Sequence, residues 1–217
     1  VNFGELKSYS KQNISETDIE NVVNVLRSDY LSRGPEIAKF EKNLGQFFKS
    51  DHVIATNSAT SALYLAYKVS GITRGSLVWT TPITFVATAN MAILLGAEVD
   101  FVDINPQTLN LCPMRLEEKL KKNHNGIPDF LIVVHFGGSP CEMKEIYKLS
   151  KKYKFRIIED SSHALGAVYD GMPIGGNDFS VASVFSFHPV KMITTGEGGA
   201  LSVSTKRLKE KAISLRS

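Results

Sequence analysis

One lysine in the stretch from Ser180 to Ala200 has the surroundings of a nucleophilic amine. Lys191 lies between Val190 and Met192 and precedes the glycine-rich segment 196–199. Apolar neighbours disfavour the ammonium form and lower the pKa of a lysine, which leaves a free amine able to form an imine. An exposed lysine after a loop proline explains this stretch equally well, so the rest of the chain must decide.

An acidic pair with a nearby histidine is the second set of residues that could carry chemistry. Glu159 and Asp160 directly follow an apolar run, 155–158, and His163 comes three residues after Asp160. A carboxylate at the end of a buried strand can hold a proton on a heterocyclic nitrogen, and the histidine can reach the same ligand or orient the acid. We expect no metal site here, because no third or fourth ligand stands at suitable spacing. His135 is expected to be a core or loop histidine.

Small and hydroxyl residues after two other predicted strands could hold an anion and a planar ring. In the segment 57–61, small residues let backbone N–H groups at a helix N-terminus approach an anion, and Thr60 can add a hydroxyl. An ordinary helix cap without ligand is the alternative. Phe85 could stack on a planar ligand, or it could pack in the core. Ser186 offers a further hydroxyl to a phosphate.

The elements that must position these residues alternate between apolar strands and amphipathic helices. Helices are predicted near 16–28, 35–48, 60–70, 85–95, 114–122, 143–153 and from 205 onward, and strands at 53–56, 77–80, 99–102, 130–134, 155–158, 181–185 and 200–203. Asp170-Gly171 predicts a hairpin between 167–168 and 173–174. Alternating strands and helices predict an α/β domain with a mainly parallel sheet and helices on both faces.

Ligand sites in such sheets lie at the carboxyl ends of the strands, which is where all of these residues stand. A helix N-terminus for an anion, an aromatic ring, a strand-end acid and then a serine and a lysine follow one another along the chain. This order is typical of a pyridoxal phosphate site, with Asp160 at the ring nitrogen and Lys191 tied to the aldehyde. A Rossmann dehydrogenase is disfavoured, because no G-x-G-x-x-G follows the first strand.

Composition excludes several other classes of protein. The 217 residues are 43% hydrophobic and 22% charged, with a net charge of +3 that is too small to indicate nucleic-acid binding. No stretch reaches the roughly twenty apolar residues of a membrane helix. Cys112 and Cys141 are far apart and show no metal-ligand spacing, so we expect both to be structural and take a reducing compartment as the default. The first fifteen residues have no apolar core of a signal peptide. We therefore expect a soluble, cytoplasmic protein.

The chain resembles the fold type I pyridoxal-phosphate enzymes, and within them the DegT/StrS family of nucleotide-sugar aminotransferases. The segments that carry the resemblance are SRGPEIAKFE (32–41), ATNSATSALYLA (55–66), TTPITFVATANMAILLGAEVDFVDI (80–104), IIEDSSHALGA (157–167) and VFSFHPVKMITTGEGGA (184–200). The resemblance covers nearly all 217 residues, which are expected to form one cofactor-binding large domain with an N-terminal helical segment. The sequence ends inside a predicted helix, so we expect a C-terminal small domain, present in the family, to be missing from it.

The resemblance assigns a role to each candidate residue. It implies that Lys191 is the Schiff-base lysine, that Asp160 partners the ring nitrogen, and that His163 lies near the phenolic oxygen. It also implies ring stacking by Phe85. The phosphate contacts and the substrate contacts that it implies are Ala59, Thr60 and Ser186 for the phosphate, and Tyr9, Leu31, Ser32, Arg33 and Ser186 for the substrate.

The same resemblance implies a substrate and a reaction. The segments at 80–90 and 185–199 are most similar to the branch that aminates a UDP-linked 4-keto-6-deoxy-N-acetylhexosamine for pseudaminic acid, with L-glutamate as donor and 2-oxoglutarate as product. A homodimer is expected. Alternatives are a sugar dehydratase or epimerase with the same cofactor, or a non-catalytic member with a vestigial site. One branch of the family has histidine in place of the lysine and performs dehydration, and Lys191 argues against that chemistry.

Overall fold

The computed structural model describes residues 10–122 and 126–216 of the chain. The helices are α1 (Glu16–Leu26), α2 (Pro35–Phe48), α3 (Ala59–Ser70), α4 (Ala87–Leu94), α5 (Pro113–Lys122), α6 (Met143–Tyr153) and α7 (Lys206–Arg216). The strands are β1 (Val53–Thr56), β2 (Leu77–Thr80), β3 (Glu98–Phe101), β4 (Phe130–Val134), β5 (Arg156–Asp160), β6 (Val168–Tyr169), β7 (Met172–Pro173), β8 (Ala182–Ser186) and β9 (Gly199–Val203).

Seven of these strands form one sheet in the order β1-β9-β8-β5-β4-β2-β3. Neighbours from β3 to β8 pair in parallel, whereas β9 pairs antiparallel with both β8 and β1. The predicted, mainly parallel α/β sheet is therefore confirmed. Because β9 alone runs in the opposite direction, its amino end lies at the same edge as the carboxyl ends of the six other strands.

Alternation along the central strands divides the core between the two faces of the sheet. Phe130 and Ile132 of β4 belong to the cluster covered by α3, α4 and α7. Leu131 and Val133 belong to the cluster covered by α5 and α6. All five residues of β4 are buried, as a strand with helices on both faces requires.

The predicted ends of most elements differ from the observed ends by one or two residues. The predicted strand 155–158 is displaced, because β5 begins at Arg156 and runs on through Asp160. The last two residues of β5, Glu159 and Asp160, carry buried carboxylates, and a pattern of apolar residues cannot predict that they belong to the strand. At the predicted hairpin, Asp170 and Gly171 both have positive φ, as a tight two-residue turn requires. Within the described ranges, every helix is too short or too polar to span a lipid bilayer.

Candidate active site

A cavity of about 310 Å³ lies at the edge of the sheet where β1, β2, β4, β5 and β8 end. Each segment that follows one of these strands contributes to its wall. All seven residues predicted to bind the cofactor line it: Ala59, Thr60, Phe85, Asp160, His163, Ser186 and Lys191. The topology thus brings together residues spread over more than 130 positions of the sequence, at the edge where a parallel sheet binds its ligands.

Lys191 is positioned by a loop that is tied at its base. The backbone N–H of Phe187 donates to the carbonyl of Gly198 (2.9 Å), and the N–H of Thr195 donates to the carbonyl of Phe187 (3.0 Å). The Phe187 ring is buried and packs edge-on against Phe40, with ring centroids 5.3 Å apart. At the tip of the loop, the N–H of Lys191 closes a turn onto the carbonyl of His188 (2.9 Å).

The charge state of Lys191 is set by burial and by Asp160. Partial burial lowers the pKa of the Lys191 ammonium, and the negative charge of Asp160 opposes this shift without cancelling it. Asp160 is only 4% exposed. Its Oδ1 accepts from the N–H of Ser162 (3.2 Å) and its Oδ2 from the hydroxyl of Thr88 (2.7 Å). An amine of lowered pKa and a carboxylate held by two hydrogen bonds therefore line one cavity.

His163 is held as a neutral hydrogen-bond donor. Its Nδ1 accepts from the backbone N–H of Gly137 (3.3 Å), so the ring proton of the neutral form lies on Nε2. Burial and the nearby positive charge of Lys191 lower the pKa of His163, although Asp160 acts in the opposite direction. The imidazole is thus available to donate from Nε2 to an oxygen atom.

The N-terminus of α3, which is the predicted anion site, forms one end of the cavity. Ser58 caps the helix by accepting from the N–H of Ser61 (3.1 Å), and Ala59 and Thr60 form the first turn. The start of β9 packs directly against this turn. A Cβ on Gly199 would lie 2.5 Å from the Ala59 nitrogen and closer still to the Ser58 carbonyl carbon. Glycine is therefore required at position 199 by the close approach of the two backbones.

Replacing Gly199 by alanine is expected to damage this anion site. The added methyl group overlaps the α3 backbone, and such overpacking costs about 1–3 kcal/mol of the free energy of unfolding. Because the displaced atoms belong to the first turn of α3, the affinity for phosphate should fall together with the free energy of unfolding. Gly196→Ala is the control: a Cβ there meets open space, and the positive φ strains alanine without any contact with α3. Both variants should lose stability in urea unfolding, but only Gly199→Ala should lose phosphate affinity in a titration. Equal phosphate affinity of the two variants would contradict the steric argument.

Three residues beside the cavity were not assigned to it from the sequence. Thr88 and Thr84 lie four residues apart, and nothing in their own segment indicates that Thr88 reaches Asp160, 72 positions away. His135 also lines the cavity, but it is fully buried and its Nε2 lies 2.7 Å from Oε2 of the buried Glu159. It is a core histidine, as expected. In the sequence, the position of His135 directly after a predicted strand is the one signal that places this residue near the site.

Three of the predicted substrate residues, Leu31, Ser32 and Arg33, do not line the Lys191 cavity. Leu31 and Ser32 lie with Arg33 in an exposed depression between α1 and α2. Arg33 also lines a larger cavity of about 800 Å³, which shares Glu197 and Gly198 with the Lys191 cavity. Tyr9 lies outside the described residues. Their contact with substrate stays a prediction, whereas Ser186 is in the Lys191 cavity itself.

Comparison with known proteins agrees with this arrangement. The DegT/DnrJ/EryC1/StrS aminotransferase family matches residues 12–217. A UDP-4-amino-4,6-dideoxy-N-acetyl-beta-L-altrosamine transaminase of Campylobacter jejuni is 45% identical over 210 residues, which are 97% of this chain and 54% of that relative. The chain therefore spans about half the length of the curated relatives it matches.

Solved structures show the same likeness in three dimensions. Helicobacter pylori PseC, described as an aminotransferase involved in the biosynthesis of pseudoaminic acid, matches with a TM-score of 0.90 and 37% identity over 97% of this chain and 55% of that one. The PLP form of the putative sugar aminotransferase Spr1654 from Streptococcus pneumoniae matches with a TM-score of 0.85 and 27% identity, over 95% of this chain and 57% of that one. The predicted fold type I architecture is confirmed, and the chain belongs to the DegT/DnrJ/EryC1/StrS aminotransferase family.

Proposed function

We propose that this chain forms the cofactor-binding part of a pyridoxal-phosphate-dependent aminotransferase. Its substrates are L-glutamate and a UDP-linked 4-keto-6-deoxy-N-acetylhexosamine. The observation that carries the proposal is that a lysine of lowered pKa, a buried carboxylate and a helix N-terminus all line one cavity. The relatives named above as UDP-sugar transaminases support the choice of substrate.

The residues present fit pyridoxal phosphate. A cavity of about 310 Å³ is large enough for a small cofactor. The first turn of α3 and the hydroxyl of Ser186 line the same cavity and suit a phosphate. The start of β9 approaches this turn so closely that only glycine fits at position 199. The ring of Phe85 lines the cavity yet is 71% exposed, so one of its faces is free to stack on a planar ligand.

Each cavity residue would then have its own role in binding pyridoxal phosphate. Ala59, Thr60 and Ser186 would hold the phosphate, and Phe85 would cover the ring. Asp160 would keep the ring nitrogen protonated, and His163 would donate from Nε2 to the phenolic oxygen. When bound, pyridoxal phosphate supplies an aldehyde that captures amines and a ring that withdraws electrons from the adjacent carbon.

Lys191 carries the chemistry that belongs to the protein. Its Nζ would hold the cofactor through the aldehyde carbon, and as a free amine it would take the proton from the Cα of glutamate. In the second half of the cycle, the same amine would give a proton to C4 of the sugar. Overall, glutamate loses its amino group and becomes 2-oxoglutarate, while the C4 ketone of the sugar becomes an amine.

Transfer of labelled nitrogen tests this function. The full-length protein is incubated with ¹⁵N-glutamate and a panel of UDP-4-keto sugars, and the sugar product is analysed by mass spectrometry. We expect ¹⁵N in the 4-amino sugar and an equal amount of 2-oxoglutarate. A dehydrated or epimerised sugar without ¹⁵N would favour a dehydratase or an epimerase. No turnover and no cofactor binding would indicate a vestigial site.

The lowered pKa of Lys191 predicts a measurable pH dependence. Below its pKa the side chain is an ammonium and cannot react, so reactivity should appear at a lower pH than the ordinary value of 10.5 allows. Asp160→Asn removes the charge that favours the ammonium and should move the pKa of Lys191 lower still. Competitive acetylation of the cofactor-free protein with peptide mapping measures both, with the exposed Lys206 correcting for reagent decay. An unshifted midpoint, or an upward shift in the variant, would contradict the assignment.

We also propose a homodimer in a reducing, cytoplasmic setting. Large apolar side chains are exposed on the segment after β2 and on the loop that carries Lys191, among them Phe85, Leu94 and Met192 at 71%, 67% and 63%. Surfaces of this kind mark protein interfaces. Cys112 and Cys141 are free and buried, which fits a reducing compartment. Light scattering of the full-length protein, with Leu94→Asp as the disrupting variant, tests the dimer.

A further inference from the structure

We propose that Thr88 is a positioning residue for Asp160, whose buried hydroxyl fixes the carboxylate as the acceptor for a protonated ring nitrogen. The inference rests on the proposed function, since it concerns the same site. It goes beyond that function because Thr88 does not line the cavity and acts only through Asp160.

The contact between the two residues is short and enclosed. Thr88 Oγ1 lies 2.7 Å from Oδ2 of Asp160. Thr88 is fully buried and Asp160 is 4% exposed, so water has little access to the pair. Hydrogen bonds to an ionised group are roughly twice as strong as those between neutral groups. In this buried setting, loss of the donor would leave Oδ2 without the partner that orients it.

The direction of the hydrogen bonds follows from the charge of Asp160. An ionised carboxylate only accepts, so Thr88 must donate its single hydroxyl proton to Oδ2. The oxygen of Thr88 lies 2.8 Å from Oγ1 of Thr84, and it must therefore accept from Thr84. The two hydroxyls form a chain that begins at Thr84, in the cavity wall, and ends on the carboxylate.

The backbone around Thr88 is anchored independently of its hydroxyl. The phenolic OH of Tyr67, on α3, donates to the carbonyl of Thr88 (2.9 Å), and the N–H of Thr88 donates to the carbonyl of Phe85 (3.0 Å). Removal of the hydroxyl alone should therefore leave the fold in place. Its effect should appear at Asp160, and through Asp160 at the ring nitrogen.

A pair of ligands separates this role from a merely structural one. Affinity is measured in the full-length protein for pyridoxal phosphate and for its 1-deaza analogue, in which carbon replaces the ring nitrogen. For Thr88→Val we expect about tenfold or greater loss of affinity for pyridoxal phosphate, the size expected for a lost hydrogen bond to a charged group. Affinity for the deaza analogue should stay within about twofold, since it makes no bond that depends on the Asp160 charge.

Two further variants complete the test. Thr88→Ser keeps the hydroxyl and should restore the affinity for pyridoxal phosphate. Thr81→Val is the matched control, because the hydroxyl of Thr81 is also buried in the same segment but has no hydrogen-bond partner among the residues that the structure describes. It should bind both ligands as the unmodified protein does. If circular dichroism shows that Thr88→Val is not folded, Thr88→Ala is used to measure the same ratio of the affinity for pyridoxal phosphate to the affinity for the deaza analogue.

The outcomes distinguish the two proposals. Equal loss for both ligands in Thr88→Val, or no loss for either, would overturn the positioning role while leaving the proposed function intact. Failure of the unmodified protein to bind pyridoxal phosphate would overturn the proposed function itself. Selective loss for pyridoxal phosphate with rescue by serine supports the role of Thr88.

Discussion

Replacement of Lys191 by alanine in the full-length protein is expected to lower turnover by at least about 10⁴-fold, because one amine both anchors the cofactor and carries the proton. Lys191 lines the cavity that contains the other candidate residues, and its pKa is lowered by partial burial. Cofactor should still bind through the phosphate and ring contacts, but without a covalent bond. The release of 2-oxoglutarate from glutamate measures turnover, and borohydride trapping measures the covalent bond.

Two control variants define what this loss means. Lys191→Arg keeps the positive charge but cannot form the covalent bond, so it should be as inactive as the alanine variant. Lys206→Ala changes an exposed lysine on α7 and should turn over normally. An active Lys191→Arg enzyme would show that charge alone suffices, which would refute the proposed role of the amine.

Replacement of Asp160 by asparagine is expected to lower turnover by about 10²- to 10³-fold, the usual effect of removing one electrostatic group from a site. An amide cannot stabilise a protonated ring nitrogen, so the electron-withdrawing form of the cofactor would be lost. The side chain is nearly isosteric, and Thr88 and Ser162 can keep it in place. Single-turnover measurements of proton removal from Cα-deuterated and unlabelled glutamate would locate the loss.

A matched acid shows whether the effect is specific. Asp178→Asn removes a carboxylate that lines a different depression, beside the β6–β7 hairpin, and should leave turnover unchanged. The deuterium isotope effect should be larger in Asp160→Asn, because proton removal becomes limiting. Ordinary rates in that variant would assign the electron-sink role to another group.

Much of the fold and of the site follows from patterns along the chain. Most strands of the large sheet contain a short apolar run, and each predicted cofactor residue stands at the end of a strand or in the segment that follows it. That position is sufficient to predict that these residues lie close together, since the carboxyl ends of parallel strands share one edge of the sheet. The sequence alone therefore predicts that Asp160 and Lys191 face the same cavity, and the structure places them there.

Contacts between distant segments are what the sequence could not provide. The reversed direction of β9 depends on its pairing with β1 and β8, and no local pattern specifies it. The bond from Thr88 to Asp160 and the buried pair of His135 with Glu159 likewise join segments that are 72 and 24 residues apart. Hydroxyl and histidine side chains occur throughout the chain, so only the folded arrangement distinguishes these from others.

The most direct measurement is the site of covalent attachment. The full-length protein is incubated with pyridoxal phosphate and reduced with borohydride, and the tagged peptide is identified by mass spectrometry. We predict a single stoichiometric tag on Lys191, which is lost in Lys191→Arg. A tag on any other lysine, or no tag at all, would contradict the claim that this amine and the acid at the end of β5 serve one bound ring.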